Sequence, residues 1–254
     1  MGIARVVITV AAACLAAAAA GAMTCSIVSS FLSPAAGQQI LGLDYYNGHL
    51  YHSASMGFHL VYETDLMGSV ISSFEPPHGT SYLEVDADGI WMGMHSPEQL
   101  LFRMTTTGRI TASYPLSFRP IGITRQGDWL WFTLQWSPNM PICKTTTVGS
   151  VIASYPALGG AALFDLDFYG GYLWIPYGPL SHPDTAIYKY TTTGSLVDYV
   201  QPFPGAGRPG GVCWDGTYLW AVDMDAPGYC YKMTCSPNPA IEPASFGKVK
   251  ALFR

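Results

Sequence analysis

The stretch GGVCWDGTYLWAVDMDAPGYCYKMT, residues 210–234, decides the fold. It holds a short apolar run, an Asp215-Gly216 turn, an aromatic run through Tyr218, Leu219 and Trp220, a loop, and a third run ending in Tyr231-Lys232-Met233. Four degenerate copies lie upstream. Aligning their second runs brings Tyr51, Trp91, Trp131, Trp174 and Trp220 into register at spacings of 40 to 46 residues. A turn pair precedes each aromatic: Asn47-Gly48, Asp88-Gly89, Gln126-Gly127, Gly170-Gly171 and Asp215-Gly216. Asn-Gly and Asp-Gly close hairpins because both residues tolerate positive φ. A β-type run stands before each turn, so every copy opens with a two-stranded hairpin.

A third strand follows at His59-Leu60-Val61-Tyr62, Leu100 to Arg103, Ile142 to Lys144, Ile187 to Lys189 and Cys230 to Lys232. It runs into a Thr- and Gly-rich turn and a fourth strand, read as GSVISSF from Gly68, GRITASY from Gly108, GSVIASY from Gly149 and GSLVDYV from Gly194. These fourth runs alternate as half-buried strands do. Four antiparallel strands per unit of about 40 residues, repeated, indicate a β-propeller. Five units predict an all-β, five-bladed propeller, with blades near 40–75, 81–115, 120–156, 162–201 and 210–235.

The pattern resembles bacterial secreted propeller repeats of the form GL-x-x-DG-x-LW…YK-x-TTTGS, related loosely to the NHL, YVTN and glutamine-cyclotransferase-like propellers. Blade 1 departs from it, with Tyr51 in place of Trp and no TTTG. The resemblance implies a fold and is nearly silent on activity, because propellers host many unrelated functions.

Blade 5 lacks a fourth strand after Thr234, yet two stretches carry that pattern: Cys25 to Phe31 and Gly247 to Phe253. The N-terminal one is expected to close the ring, since residues 32–39 continue into blade 1 at the usual junction spacing. The C-terminal one stands behind a Pro-rich linker, expected to be extended. In the alignment Cys25 replaces a turn glycine and Cys235 the second threonine, close enough for a disulfide. A Cys25–Cys235 bond and two separate thiols are the two readings. Cys143, Cys213 and Cys230 show no pairing.

Residues 1–22 carry one basic residue, an Ala-rich apolar run and a small-x-small end at Ala20-Gly21-Ala22, the pattern of a signal peptide. The expected organisation is therefore a signal peptide (1–22), a propeller (23–236) and a linker with a strand-like tail (237–254). Export predicts a secreted or cell-surface protein, the periplasm included, with no membrane span after cleavage. The 254 residues include 12 basic and 17 acidic ones, net charge −5, which argues against nucleic acid as a partner.

Catalytic motifs are sparse. There is no Gly-rich phosphate loop, HExxH or GxSxG, and the six histidines fall at no metal-ligand spacing, so neither cofactor nor metal is expected. The inner-strand positions Asp44, Asp86, Thr124, Asp167 and Cys213 align. Their three acids form either a cation or glycosidase-type carboxylate site or hydrogen bonds to neighbouring blades' backbones, and repetition favours the latter. Asp88 and Asp215 read as Asx-turn formers, and the recurrent tryptophans as blade packing. Long loops in blades 3 and 4 make Trp136, Tyr177 and His182 candidates for contact with a protein or carbohydrate surface ligand. Phe246, Val249, Leu252 and Phe253 of the tail are candidates for self-association by strand addition. The function expected is an exported, non-catalytic binding or surface-structural module, with a secreted glycosidase- or cyclotransferase-like enzyme using channel carboxylates as the alternative.

Overall fold

The computed structural model describes residues 23–55, 60–77, 80–94, 98–134, 142–157, 163–178, 185–201, 207–225 and 227–236. The chain forms five four-stranded antiparallel sheets, the blades of a propeller. Blade 1 contains β2 (Gln39–Tyr46), β3 (His49–Ser55), β4 (Val61–Thr64) and β5 (Val70–Phe74). Blade 2 contains β6 (Thr80–Asp86), β7 (Gly89–Met94), β8 (Leu100–Met104) and β9 (Ile110–Pro115). Blade 3 contains β10 (Pro120–Gln126), β11 (Trp129–Leu134), β12 (Ile142–Thr146) and β13 (Val151–Tyr155). Blade 4 contains β14 (Asp167–Tyr169), β15 (Tyr172–Tyr177), β16 (Ala186–Thr191) and β17 (Leu196–Val200). Blade 5 contains β18 (Pro209–Trp214), β19 (Leu219–Asp223), β20 (Tyr229–Ser236) and, from the N-terminus, β1 (Thr24–Leu32).

The inner strands touch in a closed circle, β2 to β6 to β10 to β14 to β18 and back to β2. Ring closure by the N-terminal strand is thus as the repeat pattern predicts. β1 pairs antiparallel with β20, Cys25 lies opposite Cys235, and the two form a disulfide at a Cα separation of 4.1 Å. The bond joins residues 210 apart in sequence. The Met23 N–H bonds Tyr199 O and Asp198 Oδ1 of blade 4, so the closing strand is fastened on that side as well.

The outer joint between blades repeats one contact. In blades 1 to 4 the fourth strand is entered through a glycine at positive φ, where L side chains are strained. A Cβ on Gly68, Gly108 or Gly194 would also collide with Phe31, Phe74 or Tyr155 of the preceding blade, and one on Gly149 with Leu116. The ring or aliphatic group of one blade therefore sits on the bare turn of the next. Phe31 does this from β1, so the closing strand performs the packing of a true fourth strand.

Between the channel and the rim lies an apolar core. Trp131 and Trp220 are fully buried, and Trp91 and Trp174 nearly so, as expected for blade packing. Each indole N–H is satisfied five residues upstream: Trp91 by Asp86, Trp131 by Gln126, Trp174 by the Tyr169 carbonyl and Trp220 by Asp215. Lys144, Lys189 and Lys232, opposite three of these tryptophans on the third strand, lay their ammonium groups 5.1 to 5.2 Å from the indole centroid. A second ring two residues earlier (Trp129, Tyr172 or Tyr218) lies 4.0 to 5.2 Å from the same ammonium, a second cation–π contact. Blade 1 reverses the sign: Glu63 stands opposite Tyr51 and takes hydrogen bonds from the Tyr51 hydroxyl and from His49. The YK dipeptide of the repeat is therefore explained by packing.

Candidate functional site

The first candidate is the acid set on the inner strands. The register pairs Asp44 with Tyr51, Glu84 with Trp91, Thr124 with Trp131, Asp167 with Trp174 and Cys213 with Trp220. Blade 2 thus contributes Glu84 to this ring rather than Asp86. The physical reason is the turn: β6 and β7 pair Asp86 with Gly89, so Ala87-Asp88 is the hairpin loop, not Asp88-Gly89. Asp86 then lies beside the turn, where Oδ2 accepts the Trp91 indole N–H and Oδ1 accepts the Asp88 backbone N–H at 2.6 Å. Asp86 is therefore the Asx former of this hairpin, and Asp88 is not. Asp88 instead takes Arg103 at 3.1 Å and Arg125 at 2.8 Å. Asp215 does act as an Asx acceptor, holding the N–H groups of Thr217 and Tyr218. In blade 3 the loop is likewise displaced, to Gly127-Asp128.

The ring residues link blades. Asp44 accepts the N–H of Val85, Thr124 that of Phe168 and Asp167 that of Trp214, each the residue after the next blade's ring position. Glu84 departs from this rule and bonds the Thr124 side chain. One layer away, Asp165 is buried and reaches past its own blade, with Oδ2 accepting Leu43 N–H of blade 1 at 3.0 Å and Val212 N–H of blade 5 at 3.4 Å. Its equivalents are Gly42, Tyr82, Gly122 and Gly211. Gly122 and Gly211 are glycine because a Cβ would meet the next blade's backbone at 2.6 and 2.5 Å. No sequence pattern singles out Asp165, which lies off the repeated acid position.

Burial raises the pKa of every acid in this group. Asp167 is pushed to about 7 by burial, against the pull of the Trp214 and Phe168 N–H groups. Burial and then the charge of Asp167 hold Asp44 well above the usual carboxylate range, and burial and then Asp44 do so for Glu84. Asp165 is raised chiefly by burial. The shifts all oppose ionisation, so the cluster resists presenting several full charges together. Among the described residues, no set of three His, Cys, Asp or Glu side chains is arranged to hold a metal ion.

An open cleft of about 420 Å³ adjoins this ring between blades 2 and 3, lined by Glu84, Asp86, Ala87, Asp88, Arg125, Gly127 and Asp128. Arg125 bonds both Asp86 and Asp88, and the guanidinium groups of Arg103 and Arg125 lie over the Trp91 ring. Between blades 4 and 5 the same region is filled by Tyr169 stacked on Trp214 at 4.7 Å.

The other candidates separate. Tyr177 ends β15 and packs edge-to-face on Tyr188 at 4.7 Å, within its own blade. Trp136 and His182 lie outside the described residues, as do the signal-peptide segment 1–22 and the tail residues Phe246, Val249, Leu252 and Phe253. His49 and His52 point to opposite faces of β3, His49 to Glu63 and His52 into the core, between Ser33 and Thr64. Burial lowers the His52 pKa to about 3, so it is a neutral core residue. Cys143, Cys213 and Cys230 are buried free thiols. No helix among the described residues is long and apolar enough to cross a membrane.

No protein-family model matches the sequence, and no curated protein does. Solved structures do match. Glutaminyl cyclase from Myxococcus xanthus superposes with a TM-score of 0.68 at 10% identity, over 84% of this chain and 97% of that one. The PQQ-bound aldose sugar dehydrogenase from Streptomyces coelicolor gives 0.56 at 11% identity, over 84% and 98%. A structural genomics protein of unknown function from Bacteroides thetaiotaomicron gives 0.53 at 11%, over 84% and 76%. At these identities the likeness is one of fold: the chain is similar to β-propellers that include enzymes.

Proposed function

We propose that the protein is an exported, non-catalytic propeller serving as a binding or surface-structural module. The observation that carries this reading is the use made of the channel acids. Asp44, Asp165 and Asp167 each accept a backbone N–H from another blade. Acids so engaged join the scaffold and are poorly placed to flank a scissile bond. Export is supported by the Cys25–Cys235 bond, which suits an oxidising compartment. The ligand of the module is a protein or carbohydrate surface, and its contact face is the cleft of blades 2 and 3 together with the long loops of blades 3 and 4.

One observation favours the second reading, a glycosidase- or cyclotransferase-like enzyme. Asp167, raised to about 7, has the proton affinity of a general acid or base at neutral pH, and Glu84 of the same ring lines the open cleft. The test is turnover by the mature chain of a glutaminyl peptide and of a panel of aryl glycosides. The scaffold reading expects product at the rate of the buffer blank. Turnover that disappears in folded Asp167→Asn or Glu84→Gln variants would replace it with the enzymatic one.

A further inference from the structure

Each blade ends in an outer strand with one neighbour among the described residues, which leaves a row of backbone groups facing outward. Edges of this kind are usually blunted by charge. β9 is preceded by Arg109, β17 contains Asp198, and β1 is bulged between Ile27 and Ser29 and tied to blade 4. β13 shares that bulge, at Ile152, but has no charged residue in it or directly beside it. It is uncharged throughout, and Val148, Val151 and Ile152 in and before it are about half exposed. β5 is similar, but it belongs to blade 1, next to the blade from which the chain leaves.

The chain supplies a segment of matching sequence pattern. Gly247, Val249, Ala251 and Phe253 reproduce the spacing of Gly149, Val151, Ala153 and Tyr155, and of Cys25, Ile27, Ser29 and Phe31. Its natural slot, beside β20 in blade 5, is already filled by β1 and locked by the Cys25–Cys235 bond. The segment therefore carries a fourth-strand pattern for which its own blade 5 has no free slot. It also differs in charge: residues 237–254 hold three basic and one acidic residue, whereas residues 23–236 hold eight basic and sixteen acidic. The propeller body of another copy attracts it.

We propose that residues 245–253 add as a fifth strand to the β13 edge of a second copy, and that this contact assembles the protein. The inference rests on the structural-module reading and names its partner. β13 lies two blades from blade 5, so a copy's own tail starts remote from this edge, whereas a second copy presents it directly. Backbone hydrogen bonds supply the affinity, and Val249 and Phe253 against Val151 and Ile152 supply the register.

The test is sedimentation velocity of the mature chain over a range of concentrations, beside Val249→Asp and Ile152→Lys variants shown to unfold at the parent temperature. The parent is expected to self-associate, and each variant to associate at least tenfold more weakly. Mixing the two variants should restore a heterodimer, because one keeps its edge and the other its tail. The peptide SFGKVKALFR should disperse parent assemblies, and a scrambled peptide should not. A parent that is monomeric at every concentration, or assemblies indifferent to Val249→Asp and to the peptide, would overturn the proposal. Either result leaves the non-catalytic reading standing, since that reading is decided by turnover.

Discussion

Adjacent blades meet twice, and the two joints are built on different chemistry. At the rim an aromatic or aliphatic group rests on a bare glycine, as Phe31 on Gly68, Phe74 on Gly108 and Tyr155 on Gly194. At the channel the joint is polar and each position differs: Asp44, Glu84, Thr124, Asp167 and Cys213. The rim joint repeats because it depends only on shape. The channel joint varies because five like acids around one axis could not all ionise. Thr124 and Cys213 remove two of the charges, and burial raises the pKa of the other three acids. Rim and channel should therefore respond differently to pH and to truncation.

The largest effect lies in the apolar layer between the two joints. Trp220→Ala empties a fully buried site and strands the Asp215 acceptor, so chemical denaturation should show a loss of about 3–5 kcal/mol. Next comes the covalent staple. Cys25→Ser frees the closing strand and should cost about 2–4 kcal/mol, with earlier proteolysis near residue 24 than in the parent. At the rim, Phe31→Ala and Phe74→Ala should each cost about 2–3 kcal/mol, less than a fully buried aromatic because both rings are only partly covered. Their losses should be alike at pH 5 and pH 8. A much smaller loss for Phe31 would mean that β1 does not serve as a blade's fourth strand.

The repeat made much of this legible. Turn glycines, the aromatic of the second strand and the Gly-to-aromatic spacing of the fourth strand specify five blades, and the pattern of Cys25 to Phe31 marks the closing strand that pairs with β20. The channel was read one acid wrong. Asp86-Ala87-Asp88-Gly89 offers two turn pairs, and Asp88-Gly89 has the stronger hairpin chemistry, yet the strands pair Asp86 with Gly89. Counting seven residues back from the aromatic would have found Glu84, because all five ring positions keep that interval. Asp165 was beyond such counting. It sits off the repeated position, and its bonds to Leu43 and Val212 are set by the closure of the ring, which no local pattern encodes. The open cleft has the same origin, since it exists only where blades 2 and 3 bring Asp86, Asp88 and Arg125 together.

The smallest change is the most telling about the channel. Asp167→Asn keeps an oxygen for the Trp214 N–H and removes the titrating proton. The folded-state pKa of Asp167 is raised to about 7 from 3.8, so the folded protein binds the proton more tightly than the unfolded chain. The stability tied to that proton is fully present below about pH 4 and is lost as the pH rises through 7. The measurement is therefore the thermal midpoint of parent and Asp167→Asn at pH 5 and at pH 8. If the channel acids are buried joints, the parent loses more on going to pH 8, and the variant gains on it by several degrees, about 2–4 °C for each kcal/mol. Parallel pH profiles for the two proteins would contradict the account, because Asp167 would then hold no proton more tightly in the folded protein than in the unfolded chain.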